Sequence, residues 1–107
     1  MKGVSMGQTA QRDALLSRRL DLVAQISALT AEAQRLNQKL AGSQMDVLRL
    51  ELEIGRSGTT EQLVRDLHEA EANAAAIRRA GTACEQRIVA AEDDLGEVDR
   101  GLAENGN

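Results

Sequence analysis

Residues 15–54 read LLSRRLDLVAQISALTAEAQRLNQKLAGSQMDVLRLELEI, and the spacing inside this stretch decides the fold. Leu15, Leu22, Leu29 and Leu36 recur every seventh residue, Ser43 interrupts the series and Leu50 resumes it. Between them fall Arg19, Ile26, Ala33, Leu40, Val47 and Ile54. Steps of four and three return side chains to one edge of a helix, so this is the seam by which a helix wraps on another helix.

The composition agrees with long helices. The 107 residues contain no aromatic side chain and no proline. A globular core usually takes much of its buried area from aromatics, and proline would interrupt a helix. A chain of this length is one domain at most.

Outward from the seam, helix 1 is expected over about residues 10–54, roughly 65 Å at 1.5 Å per residue. Thr9 is its expected N-cap, with Arg12 where a capping box would want Glu or Gln. Residues 1–8 read as a disordered tail, with two glycines and no apolar period. Gly42 and Ser43 are the soft point of helix 1, but Leu40, Val47 and Leu50 stay in phase across it, so a continuous helix is expected. Gly55 to Thr59 form the expected turn, with no apolar residue among them. Thr59 followed by Gln62 forms the expected capping box of a second helix over about residues 60–104. Residues 105–107, Asn-Gly-Asn, read as a frayed end, which leaves 9–104 as the helical hairpin.

Helix 2 carries its own seam: Leu63, Leu67, Ala70, Ala74, Ile77, Gly81, Cys84, Ile88, Ala91, Leu95, Val98 and Leu102. Two helices of similar length joined by a short turn must fold back on each other. Pairing residues whose numbers sum to about 117 layers the two seams along their length. Leu15 then faces Leu102, Leu22 faces Leu95, Ile26 faces Ala91 and Leu36 faces Gly81, large against small in the last two. Ser43 with Ala74 and Arg19 with Val98 are the flawed layers; Arg19 is expected to extend past the seam edge or to meet an acid such as Asp99, beside Val98. Glu32 is expected near Arg87.

A two-stranded hairpin buries one stripe per helix, which is marginal for a small scaffold. Leu16, Leu20 and Val23, then Met45, Leu48 and Leu52, with Val64 on helix 2, lie off the seam and call for a further partner. The expected architecture is therefore all-α: an antiparallel two-helix coiled-coil hairpin that dimerises into a four-helix bundle.

No chemistry emerges from the residue pattern. His68, the one histidine, follows the seam residue Leu67 and reads as a solvated side chain; with Glu71 it has an i, i+3 spacing used in di-metal bundles, but the seam supplies no inward carboxylates. Cys84 is the one cysteine, sits on the seam without a base in prospect and reads as a small core residue. Acidic pairs such as Glu51/Glu53 and Asp93/Asp94 read as solvated helix faces. No cofactor and no metal are expected.

The net charge of −4 disfavours broad binding to a phosphate backbone, which needs a cationic surface. Arginine-rich, lysine-poor usage with many alanines suggests a GC-rich bacterial or phage genome. No apolar run approaches the roughly 18 residues of a membrane span, and the first residues lack a signal-peptide core, so a cytoplasmic protein without membrane contact is expected.

The architecture resembles the antiparallel coils of the transcript-cleavage and secondary-channel factors of bacterial RNA polymerase. Their function rests on acids at the tip, and Ile54 to Thr60 contains none, so nothing of their activity transfers. The function expected from the residues is that of a non-enzymatic interaction protein, a scaffold, adaptor or small regulator or inhibitor. It would dock helix faces on itself or on a partner protein through Leu16, Leu20, Val23, Met45, Leu48, Leu52 and Val64. The alternative is a nucleic-acid-binding regulator whose helical-hairpin dimer offers an arginine face of Arg18, Arg19, Arg78 and Arg79.

Overall fold

The computed structural model describes residues 6–105. They form two helices, α1 over Met6–Ser57 and α2 over Glu61–Asn105, and no strand. Helix α1 passes through Gly42 and Ser43 without a break. Met6 to Gln8 are already helical, so that part of the expected tail is corrected, and Thr9 lies inside α1 rather than capping it. Nothing between Met6 and Ala10 opposes helix beyond the single Gly7. Asn105, expected in the frayed C-terminal end, is instead the last residue of α2, and the remaining tail residues, 1–5 and 106–107, lie outside the described residues.

The turn is shorter than its composition suggests, because α1 continues through Gly55. Arg56 pairs with Glu53 at 3.3 Å, and the Ser57 hydroxyl donates to the same carboxylate at 3.0 Å. A cation in the last turn also suits the negative end of the helix dipole. Gly58 ends α1 with φ +85°, and its N–H donates to the Ile54 carbonyl at 2.9 Å. That is the left-handed C-terminal cap for which glycine carries no Cβ penalty.

The cap of α2 sits on Thr60 and not on Thr59. The Leu63 N–H donates to Thr60 Oγ1 at 3.1 Å, and Val64 N–H donates to the Thr60 carbonyl at 3.0 Å. With the cap one residue later, Gln62 leaves the capping-box position. Its amide instead donates to Asp66 at 2.8 Å and accepts from Arg65 at 3.0 Å. Glu61 becomes the first helical residue, where a negative charge meets the positive helix end.

The chain divides into two compact units, Met1–Thr30 with Gln86–Asn107, and Ala31–Glu85. In the first unit Leu22, Ala91 and Val98 are buried, and Leu15, Ile26, Leu95 and Leu102 pack against them. Leu22 is the largest fully buried side chain, at 1% exposure. A Cβ added at Gly101 would lie 3.4 Å from a Leu15 methyl, so Leu15 packs directly over that glycine. Arg19 donates through Nε to Asp99 at 2.8 Å, which gives the charged seam residue a partner at the seam edge.

In the second unit Leu50, Ala74, Cys84 and Ser43 are buried. Ser43 is no packing defect: its hydroxyl donates to the Ala70 carbonyl at 3.5 Å and accepts from the Asn73 amide at 3.3 Å. A buried hydroxyl without partners would cost about 1–3 kcal/mol, and here both roles are filled. Gly81 shows the opposite departure. It was expected to admit Leu36 closely, yet a Cβ there would meet nothing within 4 Å. Glu32, expected near Arg87, pairs with Arg35 one turn on at 2.7 Å.

Candidate interaction surface

The seam residues of both helices are buried or half-buried throughout, and most neighbouring positions are exposed. On α1 within the first unit, Leu16, Leu20 and Val23 follow at i, i+4 and i+7 and are exposed, Leu20 to 70%. On α1 within the second unit, Met45, Leu48 and Leu52 follow at i, i+3 and i+7 and are exposed by more than half. Such spacings keep three side chains on one side of a helix. Val64, the expected contact on α2, is half-buried.

Val89 is an exposed aliphatic that the heptad reading passes over, at 56% exposure. It follows the seam residue Ile88 and precedes Ala90 and Ala91, so it hides inside an apolar run. Its one available signal is phase: five residues after Cys84 and two before Ala91, it falls off the seam.

Two open grooves flank the packed side chains of the Ala31–Glu85 unit. One, about 480 Å³, is lined by Val47, Leu48, Ala74 and Ala75 together with Gln44, Glu51, Glu71 and Arg78. The other, about 650 Å³, is lined by Asp46, Asp66 and Glu69, with Arg49 and Asn73 beside Leu50 and Ala70. Ala74 lines the first groove and Ala70 the second. The first offers aliphatic surface to a visitor; the second offers an acid-rich wall.

The four arginines divide between the two units. Arg18 pairs with Asp94 at 3.6 Å and Arg19 with Asp99 at 2.8 Å, both in the first unit. Arg78 and Arg79 are exposed on α2 in the second unit. A phosphate approaching Arg18 or Arg19 would compete with a carboxylate already in place.

His68 is exposed and Cys84 is buried. Among the described residues no group of three or more His, Cys, Asp or Glu side chains could hold a metal ion. Among the same residues no helix is long and apolar enough to cross a membrane.

Comparison with family models, with curated proteins and with solved structures finds no match. The exposed aliphatic residues and the two grooves therefore carry the functional reading by themselves.

Proposed function

We propose that this chain is a non-enzymatic coiled-coil interaction protein, a scaffold, adaptor or small regulator that works by docking helix faces. Its two helices pack antiparallel, and it self-associates into a four-helix bundle. The antiparallel register is supported by three neighbours inside the units: Leu15 beside Gly101, Arg19 with Asp99, and Ser43 with Ala70.

The observation that carries the docking reading is the set of aliphatic side chains left in solvent at helical spacing on α1.

The test is to replace Leu16, Leu20 and Val23 by Gln together, and Met45, Leu48 and Leu52 likewise in a second variant. At least one variant should lose self-association or partner binding while keeping its helical circular dichroism. Retention of every association by both variants would refute the reading. The nucleic-acid alternative gains no support from arginines engaged by Asp94 and Asp99. Absence of RNA or DNA retention at low salt removes it.

A further inference from the structure

The aliphatic groove of the Ala31–Glu85 unit carries its charges unevenly along its length. Ser43 is bonded to Ala70 and Asn73, which sets the level of Glu71. Glu51 stands about two helical turns nearer the Gly58 turn, and Arg78 about two turns farther from it. The groove is thus acidic from its middle toward the turn and basic at the far end.

We propose that this groove seats the same groove of a second copy of the chain, with the two turns pointing in opposite directions. The inference rests on the self-docking reading above and names its geometry. A two-fold axis crossing the helices near Ser43 brings each copy's Arg78 to the level of the other copy's Glu51, with the two Glu71 side chains meeting at the axis. Stacking with the turns side by side sets Arg78 on Arg78 and acid on acid, and like charges in contact oppose association.

The shape is self-complementary as well. Leu48 is exposed on the lip of the groove, while the buried Ala74 and the small Ala75 leave room within it. An isologous interface needs such a knob and its hole on the same patch. The acid-rich groove of this unit has no comparable match to itself, with Asp46, Asp66 and Glu69 set against Arg49.

The experiment is a charge-swap mixture followed by sedimentation equilibrium. Arg78→Glu alone, and Glu51→Arg alone, should each weaken dimerisation about tenfold or more. An equal mixture of the two should recover wild-type affinity as a mixed dimer, which also shows that both variants fold. Leu48→Asp should weaken dimerisation with no rescue from either. A wild-type dimer indifferent to these changes overturns this groove while leaving self-association intact. Failure of the mixture to recover affinity overturns the inverted pairing. A wild-type chain that stays monomeric overturns both readings and leaves the groove to a different protein.

Discussion

Ser43 occupies a position where the heptad asks for leucine, and it survives there through two hydrogen bonds to α2. The bonds satisfy the hydroxyl, but they contribute only about 0.5–1.5 kcal/mol net. Burying a leucine contributes about 1.5–3 kcal/mol, and the open grooves beside Ala70 and Ala74 give its side chain room. Ser43→Leu should therefore raise stability by about 1 kcal/mol, read as a higher urea midpoint at unchanged slope. A lower midpoint would mean that the Ser43–Asn73 bond outweighs aliphatic burial. The exposed Arg19–Asp99 pair is a weaker device, and Asp99→Asn should cost less than about 1 kcal/mol. The partner of Arg19 is legible in the sequence because Asp99 adjoins the layer mate of Arg19. The partner of Ser43 is not, since Asn73 lies off the seam and periodicity says nothing about how far a side-chain amide reaches.

At the scale of the helices, the glycines separate into those the fold requires and those it tolerates. Gly58 has φ +85°, a conformation that costs any other L-residue strain. Gly42 and Gly81 lie within α1 and α2 with nothing within 4 Å of an added Cβ. Gly58→Ala should cost about 1 kcal/mol, whereas Gly42→Ala and Gly81→Ala should each add about 0.5–1 kcal/mol. Thermal melts of the three variants check both signs at once. The N-cap gives a matching pair: Thr60→Ala should cost about 1 kcal/mol, and Thr59→Ala much less. The seam was readable because each of its positions is buried or half-buried as a 3.5-residue period demands. The cap was misplaced by one residue because Thr59 and Thr60 are chemically equal candidates. What separates them is the left-handed Gly58 and the placement of Glu61, and both are geometric.

For the whole molecule, the account turns on what covers the aliphatic residues that the hairpin leaves in solvent. Leu16, Leu20, Val23, Met45, Leu48 and Leu52 were legible as off-seam residues, since spacing alone puts them outside the stripe. The place of Leu48 in a groove with Ala74 and Ala75 was not, because it depends on how α2 packs beside α1. The fold-back itself has a direct check. Cysteines at Leu29 and Ile88 in a Cys84→Ala background should form a disulfide within one chain, and formation of intermolecular bonds alone would overturn the antiparallel register. The most direct test of the central claim is the sedimentation mass of the wild-type protein by analytical ultracentrifugation. Self-docking through these helix faces predicts a single species of twice the 11.5 kDa chain mass. A species that remains at the single-chain mass as concentration rises would contradict it.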